Sequence, residues 1–585
     1  MCGITALYPR SGAVPPSAPA ISTMLETMRR RGPDHSGIAI AASGALGAAR
    51  LRIRDPAATA DQPFANHDAT LRIAFNGEIF NNDALRKRLG PPPGGWCTGC
   101  DVETVLSGYE ALGPAIVEEL EGQFAFAILD DRNRTMLVAR DPFGICPLFL
   151  AEVGDLVVAS SSLRAILAGF PGRFRRSDPL GIAETLLLRF PLAPNTVVAG
   201  IRQLPPGELA VFDGEREHRR RHWSLPQPAA PTGGQDEEDR LAELLEHTVA
   251  GNCLSDAPVG LFLSGGLDSG IVAALAASRL ASGTPAATLA FAGPDGEGEA
   301  ARAFAARFGY RSHLVDVETL DPHALMADTL DAMDMPLGAR DAPAVMAMAR
   351  ALREAEPSVK VVLTGTGSDE QFGGYRNTYF GPAEGSLEQQ ISHFMACYSA
   401  IDPSRRASVL ALVGPDAVAD MTARLAATLA AMAPGLASAT PARVLDLLYM
   451  TTHLPGWELA TADMMCMHCS LEARVPFLDR HLVGFSLTRA DPDARNGAPD
   501  KALLRRTAAR WLGAKASARP KLPLSRPLAA WIERAAPSQG QPAGPLADLG
   551  LDPCALSQMT GPGASFDLRW RVQVLQRWLD RHLAG

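Results

Sequence analysis

Val259-Gly260-Leu261-Phe262-Leu263-Ser264-Gly265-Gly266-Leu267-Asp268-Ser269 decides how the larger part of this chain folds. A short apolar run, Val259 to Leu263, enters a glycine turn and leaves through an alanine-rich helical stretch, the order of a strand, a phosphate-binding turn and a helix in a parallel α/β sheet. The glycines let backbone N–H groups approach phosphate oxygens, which also meet the positive end of the following helix. No GxxxxGK[ST] occurs, so this is not a Walker loop. Downstream, Lys360 to Leu363 followed by Thr364-Gly365-Thr366-Gly367 repeats the strand and glycine-turn theme.

Working outward, the texture changes on both sides. Upstream, a Pro, Gly and acid-rich stretch over 225–239 reads as a linker. Before it, Leu71, Ile73 and Phe75 alternate, and Phe124 to Leu129 and Thr135 to Ala139 are strand candidates around the turn Asp130-Asp131-Arg132-Asn133. Val102, Val105, Leu106, Tyr109 and Leu112 mark one face of a helix. That is a layered α+β pattern. From about Pro441 onward helical periodicity dominates. A chain of 585 residues exceeds one ordinary core. The expected domains are 1–224, a linker at 225–239, and 240–585.

A formal net charge of -9 offers no basic face for nucleic acid or an anionic membrane, so small metabolites are the expected partners. The start, Met1-Cys2-Gly3-Ile4-Thr5-Ala6-Leu7, has no secretory pattern and no apolar run reaches spanning length, which predicts a cytoplasmic location. Nine cysteines at irregular spacing make no disulfide framework. Cys97/Cys100 and Cys466/Cys469 have CxxC spacing, but they lie far apart, and small thiols are a plainer reading than a four-thiolate zinc site.

Cys2 directly follows the initiator Met, whose removal exposes a thiol and an α-amine on one residue. A free α-amine titrates near 7.7 to 8.0 and can accept the thiol proton without a histidine. A cysteine alone is usually just a small buried side chain, so the argument needs company. Arg31-Gly32-Pro33-Asp34, Arg50-Leu51-Arg52-Ile53, Asn76-Gly77-Glu78 and Asp101 supply it. Each has a plainer reading: Asn76-Gly77 as a hairpin turn, Asp101 as a helix N-cap, Arg50 as a surface ion-pair partner.

Together with Cys2-Gly3-Ile4, this ordered set resembles the class II, N-terminal-nucleophile (Ntn) glutamine amidotransferases, a sandwich of antiparallel sheets with helices. The resemblance continues through Glu121-Gly122-Gln123-Phe124 and Arg140-Asp141-Pro142-Phe143-Gly144, with Cys146 where members usually carry lysine. It implies Cys2 as the nucleophile that frees ammonia from glutamine, with Asn76 and Gly77 as oxyanion donors. Arg50 is then expected to clamp the glutamine carboxylate, and Asp101 and Glu78 to receive its ammonium, Glu78 through side chain or backbone.

Ser264 to Ser269 is similar to the SGGxDS loop of ATP pyrophosphatases, and Leu363 to Tyr375, Leu471 to Asp479, Lys501 to Arg505 and Arg519-Pro520-Lys521 follow in the order of glutamine-hydrolysing asparagine synthetase. The resemblance covers nearly the whole chain. It implies an ATP site at Ser264, Gly265, Gly266, Leu267, Asp268, Ser269, Thr364 and Gly365, with Mg²⁺ on Asp268 and Asp369. Lys521 is implied to balance charge during transfer, while Lys501, Arg474 and Asp479 read as architectural. Family members also pass ammonia internally between two sites and are commonly dimers.

The departures cluster where the acceptor carboxylate binds. Thr366 stands in place of an acid, and Met464 and Cys466 replace the usual arginine and serine between Asp463 and Met467. The acceptor is therefore expected to be aspartate or a related carboxylic acid of specialised metabolism. A lactam- or macrolactam-forming cyclase and a catalytically silent regulatory homologue are the competing readings. An intact Cys2 site argues against the first, and retention of Cys2, Asp268, Asp369 and Lys521 against the second.

Overall fold

A computed structural model describes residues 1–11, 18–227, 235–290, 297–376, 383–411, 413–414, 416–489, 500–520, 531, 559 and 564–583. Period-two alternation decides the first layers. In strand Gly122–Asp130, Ala125, Ala127 and Leu129 turn to one side, with Ile4, Ala6, Leu46, Ala48 and Ala74. Phe124, Phe126 and Ile128 turn to the other, against Phe75 and the helix Asp101–Leu112. In strand Gly3–Pro9, Leu7 likewise turns outward onto Ile21, Met24 and Leu25 of the helix Ala18–Thr27.

The result is two antiparallel six-stranded sheets packed face to face, with helices outside. One runs Ile201–Gln203, Phe149–Val153, Leu156–Ser160, Gly3–Pro9, Gly44–Arg50, His35–Ala41. The other runs Arg216–Arg221, Glu208–Asp213, Thr135–Arg140, Gly122–Asp130, Leu71–Ile79, Phe64–Ala65. Leu71–Ile79 pairs along its whole length with Gly122–Asp130, which puts Asn76 opposite Ala125 and Gly77 opposite Phe124. Only glycine fits at 77: φ is +145° and a Cβ would lie 2.0 Å from the Gln123 carbonyl oxygen.

The third sheet is parallel and five-stranded: Arg311–Asp316, Pro285–Ala290, Val259–Phe262, Val361–Leu363, Glu472–Arg474. Chain order reverses between Val259–Phe262 and Val361–Leu363, so the loops leaving both strands open into one crevice. The edge strand Glu472–Arg474 interrupts a region whose pattern predicts helix. Three residues carry too little periodicity to show, and the strand exists because its backbone completes the ladder to Val361–Leu363. In the stretch expected as linker, Gln235 already opens the helix Gln235–Asn252. Its first-turn acids Asp236, Glu237 and Glu238 suit the positive helix end, so there the acid run is a helix start.

Candidate active sites

Cys2 is buried at the entry to strand Gly3–Pro9. Its backbone N–H donates to Asn76 Oδ1 at 2.6 Å, while Asn76 Nδ2 is buried with no hydrogen-bond partner, an amide donor left open beside residue 2. Burial pushes the Cys2 thiol up, opposed by the amino-terminal ammonium, the Leu51 N–H and the charge of Arg50. Cys2, Arg50 and Asn76 therefore share one neighbourhood. In the full chain the ammonium belongs to Met1, which is buried and paired with Glu472.

Arg50 is not a surface residue. Its guanidinium holds Asp61 at 2.8 Å and the carbonyls of Ala57, Arg54 and Asp55. Asp61, which sequence reasoning missed, is shared with Arg52 at 2.6 Å, so an internal carboxylate occupies the fork expected to clamp a substrate's. Asp101 is buried and accepts from Ile79 N–H at 2.9 Å; burial raises its pKa. Glu78 reaches the second part of the chain, with Oε2 on Arg474 at 2.9 Å. Burial raises Glu78 well above the usual carboxylate range, Arg474 opposing. Asp101 adds to the rise at Glu78, so the two carboxylates sense one another, and Glu78 Oε1 is buried with no hydrogen-bond partner.

The Arg31-Gly32-Pro33-Asp34 segment joins the two parts. Arg31 Nε donates to the Cys2 carbonyl at 3.2 Å while its two terminal nitrogens clasp Asp463 at 2.7 and 2.8 Å. Lys360 pairs with Asp34 at 2.7 Å. Arg474, expected to be architectural, is fully buried and ties Glu472 and Glu78 to the carbonyls of Asn252 and Leu254. Burial works to raise Glu472, but the Met1 ammonium and Arg474 outweigh it and hold its pKa down.

The second site is a cavity of about 630 Å³ in the crevice of the parallel sheet. Ser264 to Ser269 and Thr364 to Thr366 line it together. The loops touch: a Cβ on Gly365 would lie 2.8 Å from the Ser269 nitrogen, and the Ser264 and Ser269 hydroxyls stand 3.0 Å apart. Asp268 and Asp369 converge on Lys501 Nζ, at 2.7 and 2.8 Å. Asp268 Oδ1 is buried without a hydrogen-bond partner, so the pair fits a hard cation held by two carboxylates plus phosphate. Lys501 is thereby a site residue, legible only once Asp268 and Asp369 are known to meet. Lys521 lies outside the described residues; its neighbours Arg519 and Pro520 line the cavity.

The cavity is also lined by residues that sequence reasoning missed: Arg189, Arg340, Asp341, Tyr398, His453 and Glu458 among them. Arg189 belongs to the amino-terminal part and reaches Asp567 at 2.7 Å. Burial pushes Asp341 up to about 6. Their contacts are long-range in sequence and leave no local pattern. The paired cysteines sit apart, Cys100 packed among the helix-covered strands of the first part and Cys466 beside the parallel sheet. Among the described residues no cluster of three or more His, Cys, Asp or Glu could hold a metal, and no helix is long and apolar enough to cross a membrane.

Comparison with known proteins matches residues 1–223 to a glutamine amidotransferase domain and 240–580 to asparagine synthase. A putative glutamine-hydrolysing asparagine synthetase of Mycobacterium tuberculosis is 34% identical over 402 residues, 64% of this chain and 60% of that protein's length. Asparagine synthetase B of Escherichia coli is 30% identical, covering 67% of each chain. Asparagine synthetase 3 of Bacillus subtilis is 26% identical, over 83% of this chain and 80% of its own. Among solved structures, the B. subtilis glutamine phosphoribosylpyrophosphate amidotransferase aligns at a TM-score of 0.29 and 16% identity, over 62% of this chain and 81% of its own.

Proposed function

The chain belongs to the asparagine synthase family, and from that premise we propose that it is a glutamine-dependent amidotransferase with two coupled sites. Removal of Met1 leaves Cys2 with an α-amine that takes the thiol proton. The thiolate attacks the glutamine amide, Asn76 Nδ2 and the Gly77 N–H stabilise the oxyanion, and water resolves the thioester after ammonia leaves. Arg50 and Asp101 bind the amino-acid end of glutamine; Glu78 contributes there through its backbone, since its carboxylate is committed to Arg474.

In the cavity, Ser264 to Ser269 with Thr364 and Gly365 cradle ATP, and the acceptor carboxylate attacks the α-phosphate to give an acyl-adenylate and pyrophosphate. Asp268 and Asp369 would hold Mg²⁺, which would supply neutralisation of the phosphate charge. Lys501 bridges those carboxylates, and Lys521 offsets charge on the adenylate. The acceptor is aspartate or a related carboxylic acid, the enzyme works in the cytoplasm, and the glutaminase and synthetase parts divide near residues 224 and 240.

The observation that carries this reading is Arg31, whose single guanidinium holds the Cys2 carbonyl on one side and Asp463 of the synthetase part on the other. A joint of this kind holds the Cys2 segment against the synthetase part, as sharing nitrogen between the two sites requires. Pyrophosphate release, screened across aspartate, other dicarboxylates and bulkier acids with glutamine or ammonium, tests it. Release that needs an acid and either nitrogen donor is expected. Thr366, which lacks a carboxylate, keeps the cyclase as second reading, and release indifferent to both donors would select it.

A further inference from the structure

Among the cavity's residues three are joined in a hydrogen-bonded line: Tyr398 Oη lies 2.6 Å from His453 Nδ1, and His453 Nε2 lies 3.2 Å from Glu458 Oε1. We propose that this line takes the proton from the nitrogen nucleophile during amide formation, with Tyr398 as the group that touches it and His453 and Glu458 behind. The inference rests on the amidotransferase reading.

The backbone there is built for the arrangement. Tyr449–Leu459 is a π-helix with Pro455 inside it. Spacing of i to i+5 brings residues five apart onto one face, so His453 can meet Glu458, which an α-helix would carry to a different side. Helices of this kind recur at functional sites. The line is also near the chemistry. The Tyr375 ring meets His453 edge-on at 5.3 Å. Tyr375 follows Gly374, where a Cβ would lie only 1.9 Å from Asp369 Oδ1. One aromatic ring therefore separates His453 from the carboxylates that face the nucleotide loop.

The proton balance closes. Nitrogen attacks the acyl carbon and forms the C–N bond, while the C–O bond to the phosphate breaks and AMP leaves. The surplus N–H proton passes to Tyr398 Oη as the phenol's own proton moves to Nδ1. The imidazolium then lies against Glu458, and the Arg189 guanidinium, 5.1 Å from the centre of the Tyr398 ring, favours negative character on the phenol oxygen. Thr366, in the same cavity, offers only a hydroxyl bonded to Thr364 at 3.1 Å. Among the described residues, the titratable and charged groups around His453 include Glu370, Tyr375, Tyr398, Tyr449, Asp341, Arg189 and Glu458.

Tyr398→Phe is the test, because it keeps the ring stacked on Phe394 and beneath Arg189. The acceptor is whichever acid in the panel above supports pyrophosphate release by wild type. With ammonium, amide formation should fall about 100-fold, while glutamine hydrolysis and first-turnover pyrophosphate formation stay at the wild-type level. Hydroxylamine, a better nucleophile that needs less help losing a proton, should recover most of the lost rate. An ammonium rate for Tyr398→Phe within about twofold of wild type, or equal losses with ammonium and hydroxylamine, would overturn the relay. Wild type that releases no pyrophosphate with any acid overturns the amidotransferase reading instead, and the relay with it.

Discussion

The two sites are built in opposite ways. Around Cys2 almost every polar group already has a protein partner: Arg50 is filled by Asp61, Asp101 by the Ile79 N–H, Glu78 by Arg474. What stays open is small and specific, chiefly the Asn76 amide nitrogen. The synthetase cavity is roomy and is lined by Asp268, Asp369 and Lys501 as well as Arg189, Arg340 and Asp341, with aromatic side chains among them. A site that handles one fixed substrate can be closed and rigid, because its geometry never has to change between relatives. A site that takes an acceptor must vary, and the sequence departures at Thr366, Met464 and Cys466 fall in or beside that half.

The largest expected effect separates the halves outright. Cys2→Ala should lower glutamine-driven amidation by at least about 1000-fold while leaving ammonium-driven amidation near wild type, read by amide product with each donor. Equal loss with both donors would mean that the halves do not divide the chemistry as described.

Next comes the joint between them. Replacing Arg474 with methionine leaves Glu78 and Glu472 buried with less compensation, at a cost of about 3 to 5 kcal/mol. Denaturant unfolding should shift to a lower midpoint; a midpoint unchanged within error would show that the buried ion network contributes nothing. A smaller effect is expected from Asp369→Asn, a roughly 100-fold fall in pyrophosphate release, about 2.7 kcal/mol of barrier, with glutamine hydrolysis retained. Retained release would place the metal elsewhere.

The smallest effect contrasts the halves by pH. Burial holds His222, in the first part, down at about 4 against an ordinary 6.5. A histidine kept neutral in the fold gains protons on unfolding, so this stability is present above about 6.5 and lost as pH falls toward 4. Asp341, raised to about 6 from 3.8, has the opposite sign. The folded state holds its proton more tightly, so its contribution is lost as pH rises through 4 to 6. His222→Gln should flatten the acid-side loss and Asp341→Asn should stabilise at neutral pH. Thermal melts across pH 4 to 8 that keep the wild-type slope in both variants would break the contrast.

Much of this was legible from residues alone, and for a physical reason. Alternation through Leu71, Ile73 and Phe75 and the run Phe124 to Leu129 mark strands buried on both faces, and Val259 to Ser269 encodes strand, turn and helix within eleven positions. Local signals report local structure. The three-residue strand Glu472–Arg474 is fixed by its ladder partner, and the helix start at Gln235 hides in an acid-rich stretch that also suits a linker. Functional groups split the same way. Asp268 and Asp369 sit in recognisable motifs, each in the first turn of a helix, whereas Lys501 matters only because two distant carboxylates meet on it. Asp61, Tyr398 and His453 are brought to their sites by packing across the fold, and Glu78 gains a partner 396 residues along the chain.

The central claim is that nitrogen freed at Cys2 is captured by an adenylate made in the same molecule. Glutamine carrying heavy nitrogen in its amide, supplied together with an excess of ordinary ammonium, ATP, magnesium and the accepted acid, tests it directly by mass spectrometry of the product. The account predicts product labelled well beyond the isotopic ratio of the bulk ammonium pool. Product whose nitrogen mirrors that pool would contradict it.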